Sequence, residues 1–133
     1  MARRLPRISL VRAYEAGRQD CGYRVLVDRL WPRGVKKEDL PLDEWAKDLA
    51  PSPGLRRWFG HRPERWDEFR QRYTEELRSR PEAIGRLLKV AARRRVALLF
   101  GARDVEHSHA VVLWEFLQSE RSGSARPTVS EAG

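Results

Sequence analysis

The sequence predicts an α/β fold: a small, mostly parallel sheet flanked by helices, with a helical segment between the second and third strands. Two short apolar runs, at residues 25–27 and 96–100, lack the alternation of a half-exposed strand and are typical of strands buried on both faces. A long stretch with helical periodicity separates them, over residues 42–94. The length of 133 residues is typical of a single domain.

The first half of the sheet is expected before residue 31. Residues 8–14 (ISLVRAY) combine β-branched and aromatic side chains without a breaker, which indicates a strand. A turn over residues 16–22 leads to a second strand at residues 23–30 (YRVLVDRL). Pro32 and Gly34 then break the extended run.

Two short helices are expected next. Residues 42–51 indicate a helix that Pro51 ends. Residues 52–60 indicate a second one, with Ser52 as its cap and Pro53 in its first turn.

Two longer helices follow. Residues 62–80 form the clearest helix, because its aromatic and apolar residues recur on one face and mixed charges lie on the other. The residues of that apolar face are Trp66, Phe69, Tyr73 and Leu77. Residues 82–94 indicate the next helix, with its own apolar side.

The chain is expected to close with a strand and a helix. Residues 96–100 (VALLF) indicate a buried central strand, and the last helix begins near His107 or His109. Residues 119–133 are polar, with Gly, Pro and Ser, so we expect residues 1–118 to form one domain and residues 119–133 a disordered tail. Three strands make a small sheet, so the sequence leaves open whether a further strand lies within residues 35–60.

The charge balance favours an anionic partner. The chain carries a net charge of +8 and a pI of about 10.5, which suits a nucleic-acid-binding protein. Half of that excess lies in residues 1–12, which hold four arginines and no acidic residue. A small anionic ligand, or a merely basic surface, is therefore a better explanation of the remaining charge than a nucleic acid.

Several classes of protein are excluded by absent patterns. No apolar run reaches the roughly 18 residues of a membrane span, and no secretory signal precedes the first strand. The single cysteine, Cys21, excludes an internal disulfide. We therefore expect a cytoplasmic protein without a membrane partner. No glycine-rich phosphate loop, paired C-x-x-C or H-E-x-x-H motif is present, so no cofactor is expected.

Polar loops follow both buried strands, and these loops carry the candidate site. Because the carboxyl ends of parallel strands meet at one edge of a sheet, the two loops are expected to lie side by side. The first supplies Asp28, Arg29, Trp31 and Arg33, and the second supplies Arg103, Asp104, Glu106, His107 and His109.

Three interpretations of these residues stay open. In the first, Arg29, Arg33 and Arg103 clamp a phosphate or carboxylate, and Trp31 stacks on a ring of the ligand. In the second, the two histidines and an aspartate bind a metal, which requires an extended backbone at the His-x-His sequence because on a helix the two rings diverge. In the third the residues are structural, and Asp104 caps the last helix.

Four blocks of sequence resemble the YeaO-like proteins, the family of domain of unknown function 488. The blocks are GYRVLVDRLWPRG, LDEWAKDLAPSPGLRRWFGH, ERWDEFRQRY and VALLFGARDVEHSHAVVL, and the resemblance covers about residues 11–117. It implies a small bacterial cytosolic α/β protein and no particular activity. Broader relatives carry a D-x-R sequence after the first buried strand, where Asp28 fits and Arg29 or Arg33 stands for the arginine.

The same relatives carry a C-H-R sequence before the last helix. His109 matches its histidine, whereas Ser108 and Ala110 stand where the cysteine and the arginine are found. The resemblance therefore implies a shared pocket and leaves thiol chemistry in doubt.

The leading functional interpretation is a pocket for a small anionic ligand, nucleotide-like or phosphorylated, with hydrolase or transferase activity left open. Asp28 would be the base or an orienting group, the arginines the anion clamp, and His109 or His107 the acid. Two alternatives stay open: a basic nucleic-acid-binding module that uses the N-terminal arginines and residues 93–95, and a non-catalytic interaction protein or homodimer.

Overall fold

Four parallel strands form one sheet in the computed structural model, which describes residues 8–18 and 21–125, with side chains described as far as residue 121. Their order is β1-β4-β2-β3, and every neighbouring pair is parallel. The strands are β1 (Ile8–Arg12), β2 (Tyr23–Leu26), β3 (Glu44–Trp45) and β4 (Val96–Phe100). The α-helices are α1 (Ala13–Ala16), α2 (Pro53–Phe59), α3 (Trp66–Arg78), α4 (Pro81–Ala91) and α5 (His109–Ala125).

The apolar run of β4 forms the centre of the sheet, as its composition predicts. All five of its residues are buried, with β1 on one side and β2 on the other. Val96, Leu98 and Phe100 face the helices, whereas Ala97 and Leu99 face the opposite layer. Burial on both faces explains why this strand has no polar alternation.

Helices cover one face of the sheet. Phe69, Tyr73 and Leu77 of α3 are buried there, and Leu113 and Leu117 of α5 join the same cluster. The helical face predicted for residues 62–80 is therefore the core face, although a short 3₁₀ helix (Pro63–Arg65) replaces its first turn.

A loop layer covers the other face. Trp31, Leu40 and Trp45 pack over Leu26 and Leu99, and the rings of the two tryptophans meet edge to face at 5.5 Å. The sheet therefore lies between a helical layer and a layer made mostly of loops.

The helix predicted over residues 42–51 is wrong. The structure has β3 there, followed by a 3₁₀ helix at Lys47–Leu49. The Ala46 N–H donates to the Leu26 carbonyl at 2.8 Å, and the Trp45 indole N–H donates to the Asp28 carbonyl at 2.7 Å. Pairing with the free edge of β2 outweighs the local helical preference, and it supplies the further strand left open within residues 35–60.

The remaining elements begin and end close to their predicted bounds. β1 stops at Arg12 because α1 follows at once, and β2 stops at Leu26. α5 continues to Ala125, into the segment for which we expected a tail, and residues 126–133 lie outside the described residues. No helix in the described ranges is long and apolar enough to cross a membrane.

The turn before β2 gives a test of the fold. Gly22 has a φ of +97°, and a Cβ atom there would come within 2.5 Å of the Arg95 carbonyl oxygen. We expect Gly22→Ala to lower the free energy of unfolding by about 1–3 kcal/mol. Gly85→Ala in α4 is the matched control, because its Cβ meets nothing within 4 Å and alanine favours a helix by about 0.5–1 kcal/mol. Urea denaturation measures the free energy of unfolding of both variants. Equal destabilisation by the two substitutions would contradict the close approach of Gly22 to the Arg95 carbonyl.

Candidate functional site

Asp28 joins the ends of the two central strands. Its Oδ2 atom accepts a hydrogen bond from the Gly101 backbone N–H at 2.8 Å, across the carboxyl ends of β2 and β4. A Cβ atom on residue 101 would lie 3.2 Å from that oxygen, so the absence of a side chain permits the close approach. The two polar loops therefore lie on the same edge of the sheet.

His109, the first residue of α5, closes the same junction. Its Nε2 atom lies 2.9 Å from the Val27 carbonyl oxygen and 3.4 Å from Asp28 Oδ1. A carbonyl only accepts, so Nε2 carries the hydrogen and, in the neutral ring, Nδ1 is unprotonated. The Tyr73 ring packs edge to face against the imidazole at 5.9 Å, which fixes its plane.

Burial shifts both ionisable groups of this pair away from their charged forms. It raises the pKa of the Asp28 carboxyl, against the opposing effects of His109 and the Gly101 N–H. It lowers the pKa of His109, against the opposing effects of Asp28 and the Val27 carbonyl. His109 is therefore neutral at physiological pH.

A cavity of about 650 Å³ opens beside this junction. One part of its wall is apolar, and the rest carries arginine, histidine and serine side chains. The lining residues are Pro51, Pro53, Arg56, Arg57, Phe59, His61, Phe69, Ala102, Arg103, Asp104, His107, Ser108 and His109.

The lining is electropositive. Arg56, Arg57 and Arg103 line the cavity together with a single acidic residue, Asp104. That carboxylate is engaged, because its Oδ2 atom lies 2.8 Å from His107 Nδ1, and this hydrogen bond lowers the pKa of Asp104. The cavity therefore favours a negatively charged occupant.

Ser108 lies between the cavity and the first turn of α5. Its side chain is buried, with only 3% of the residue exposed, and its Oγ atom has no hydrogen-bond partner among the described residues. Ser108 is one of the residues that line the cavity. Free amides at the start of a helix add a partial positive charge at the same place.

The loop after β4 brings most of its polar residues to the cavity, and Glu106 is the one that does not line it. Arg103, Asp104, His107 and His109 line it. Asp104 does act as a cap, but of the 3₁₀ helix at Val105–His107 and not of the last helix, because Ser108 intervenes before α5.

The loop after β2 contributes less than expected. Asp28 contacts His109 and is not itself a lining residue, and Arg29 donates to the Pro51 carbonyl at 3.3 Å. Trp31 turns into the loop layer and donates to the Val35 carbonyl at 2.6 Å. Arg33 is exposed, and its carbonyl accepts from the Tyr14 hydroxyl. The structure therefore does not bring Arg29, Trp31 or Arg33 to the cavity.

Sequence reasoning missed the side of the cavity formed by α2. Arg56, Arg57 and Phe59 lie on this helix, whose Ser52 cap was predicted and is present, with Oγ accepting from the Leu55 N–H at 3.2 Å. The position of α2 depends on Glu76 of α3, whose carboxylate accepts from Ser52. The position of α2 at this edge follows from the pairing of β3 with β2, and the sequence predicts a helix where β3 lies.

The geometry does not assemble a metal centre. No three His, Cys, Asp or Glu side chains cluster closely enough to hold an ion within the part of the chain that the structure describes. The His107 ring packs against Trp66 at 5.2 Å, whereas His109 turns towards Val27. The two rings of the His-x-His sequence therefore have different environments.

Comparison with known proteins decides the family. A family model described as the inactive DUF488-N3 subclade matches residues 7–131, nearly the whole chain. The chain belongs to the DUF488 family. An uncharacterized protein of Mycobacterium tuberculosis (strain ATCC 25618 / H37Rv) is 46% identical over 111 residues, covering 84% of this chain and 93% of the relative. The uncharacterized protein YeaO of Escherichia coli (strain K12) is 42% identical over 112 residues, covering 84% and 97%.

These relatives confirm the YeaO-like resemblance carried by the four sequence blocks. No solved structure matches the chain.

The buried histidine predicts a pH dependence of stability. The unfolded chain binds a proton on His109 near its ordinary pKa of about 6.5, whereas the folded chain binds it only at lower pH. The free energy of unfolding should therefore fall as the pH drops from 7 to about 5.5, by at most ~1.4 kcal/mol per pH unit for this group. His109→Gln should flatten that slope in urea denaturation.

Asp28 contributes to the pH dependence with the opposite sign. Because its pKa is raised by burial, the folded state binds a proton before the unfolded state does as the pH falls, which opposes the loss of stability caused by His109. The matched control is His61→Gln, an exposed side chain, which should leave the slope as in the wild type. A slope unchanged by His109→Gln would contradict a neutral buried ring.

Proposed function

We propose that this protein binds a small organic anion, phosphorylated or nucleotide-like, in the cavity at the carboxyl edge of its sheet. The observation that carries the proposal is the lining, which holds three arginines and one carboxylate, and that carboxylate is already paired with His107. Arginine is the side chain best suited to phosphate and carboxylate groups because it offers paired donors in a plane. The carboxyl edge of a parallel sheet is also the usual place for such a ligand.

The size of the cavity supports an organic ligand. Its volume of about 650 Å³ falls in the range of small-molecule sites, roughly 300–1,000 Å³. An apolar wall with a few convergent polar groups is the composition expected of such sites.

Binding without turnover agrees best with the family description. The matching model describes its subclade as inactive, and Ser108 stands where the resemblance places a cysteine. A serine hydroxyl stays protonated at neutral pH and needs a general base to act as a nucleophile. No side chain among the described residues accepts a hydrogen bond from Ser108.

Hydrolysis or group transfer in the same cavity is the second candidate function. The observation that favours it is the Asp28–His109 pair, in which a buried carboxylate lies 3.4 Å from an imidazole that lines the cavity. A neutral imidazole is suited to general acid–base work. Product formation from p-nitrophenyl phosphate, abolished by His109→Gln, would support this candidate over binding alone.

The arginines at residues 93–95 belong to a different surface. They precede β4, at the amino edge of the sheet, so the cavity lies at the other end of the strand. The N-terminal arginines Arg3, Arg4 and Arg7 lie outside the described residues. A nucleic-acid interaction through residues 93–95 would therefore be independent of the cavity.

Removal of a cavity arginine tests the proposed binding. Arg103→Ala should weaken the binding of adenosine monophosphate about fivefold, close to 1 kcal/mol, because Arg103 is an exposed cation at the cavity. Arg93→Ala removes an equally exposed arginine from the amino edge and is the matched control, which should leave the affinity unchanged. Isothermal titration calorimetry measures both, and a loss with Arg93→Ala alone would place the anion elsewhere.

A further inference from the structure

Two features of the cavity point beyond an electropositive lining: a buried hydroxyl without a partner and an apolar aromatic wall. We propose that the cavity is divided into a head subsite, formed by Ser108 and the first turn of α5, and a body subsite, formed by the apolar lining residues Pro53, Phe59, Phe69 and Ala102. The ligand class that this division fits is a phosphate ester of an aromatic or otherwise apolar group. The inference rests on the proposed function and specifies its ligand.

The head subsite is built around an unused hydrogen-bonding group. Ser108 is 97% buried, lines the cavity, and leaves its Oγ atom without a partner in the described part of the chain. Burial of an unpaired hydroxyl is unfavourable, and such groups in folded proteins commonly mark a functional site. A phosphate oxygen at this position would accept from the hydroxyl.

The first turn of α5 strengthens the same subsite. α5 is 17 residues long, and the Val111 N–H donates to the Ser108 carbonyl at 3.1 Å, which holds Ser108 at the head of the helix. The amides of a first helical turn point out of the helix and attract an anion. Ser108 and the start of α5 therefore lie at the same place in the cavity lining.

The body subsite is apolar. The rings of Phe59 and Phe69 stack with centroids 4.4 Å apart, and Pro51, Pro53 and Ala102 continue the same lining. Phe59 and Phe69 are themselves largely buried, so the part of this lining that meets water comes mainly from the exposed Pro53 and the half-buried Ala102. An inorganic phosphate in the head subsite would leave that part uncovered. An aromatic body would cover it and gain the free energy of burying apolar surface.

A role of Ser108 in ligand binding can be distinguished from a role in stability, because its hydroxyl has no hydrogen-bond partner among the described residues. If the hydroxyl were a structural group, its removal would lower the stability of the free protein. Because it has no partner, Ser108→Ala should leave the thermal midpoint unchanged or raise it, while weakening the ligand. Ser119→Ala is the matched control, since Ser119 is an exposed serine on the same helix.

The experiment compares two probes of the same charge. Phenyl phosphate and glycerol 1-phosphate are titrated by calorimetry into the wild-type protein, Ser108→Ala and Ser119→Ala. We expect phenyl phosphate to bind the wild type at least fivefold more tightly than glycerol 1-phosphate. Ser108→Ala should weaken both probes by a similar factor of about five, and Ser119→Ala should change neither.

The outcomes separate the inference from the proposed function. Equal affinities of the two probes, with both bound, would overturn the body subsite and leave anion binding standing. An affinity unchanged by Ser108→Ala, or a lowered thermal midpoint of the free variant, would overturn the head subsite. If neither probe binds, and adenosine monophosphate does not bind either, the proposed function fails together with the inference.

Discussion

The hydrogen bond between the Asp28 carboxylate and the Gly101 amide is the contact on which the candidate site depends. It crosses from the end of β2 to the end of β4 at 2.8 Å, where both strands leave the sheet. His109 then bonds the Val27 carbonyl, one residue before Asp28, and so ties the start of α5 to the same place. These contacts set where the loop after β4 runs, and that loop supplies Arg103, Asp104, His107 and Ser108 to the cavity lining.

The junction combines groups that a purely structural core would avoid. A carboxyl and an imidazole are both largely withdrawn from water, and a serine hydroxyl beside them has no partner among the described residues. Buried polar groups of this kind reduce stability unless they are fully paired. Their concentration at one edge of the sheet, next to a cavity, is the arrangement from which the proposed ligand binding is argued.

The sequence was sufficient wherever a local pattern decides the structure. The unbroken apolar run at residues 96–100 identifies a central strand because both of its faces are covered, and the Ser52–Pro53 start of α2 follows from capping chemistry. The parallel arrangement of β2 and β4 then brings the two polar loops together, as expected from the order of the elements.

The sequence was insufficient wherever tertiary contacts decide. Trp45 lies in a segment with helical character, yet it pairs with β2 because its indole reaches the Asp28 carbonyl. Within a single loop, Asp28 points towards Gly101 while Trp31 packs on the other face of the sheet. An irregular segment has no periodicity, so the sequence does not indicate which side chain points which way. Arg56 and Phe59 reach the cavity only because α2 is held against α3.

The central claim is that the anion-binding face of this DUF488 protein is the carboxyl edge of its sheet. Amide chemical-shift mapping of the ¹⁵N-labelled protein during a titration with phenyl phosphate tests it most directly. The account predicts that the largest saturable shifts cluster at Ala102, Ser108, His109 and Ala110, around the cavity and the first turn of α5. Shifts that cluster instead at residues 93–95, at the amino edge, would contradict it.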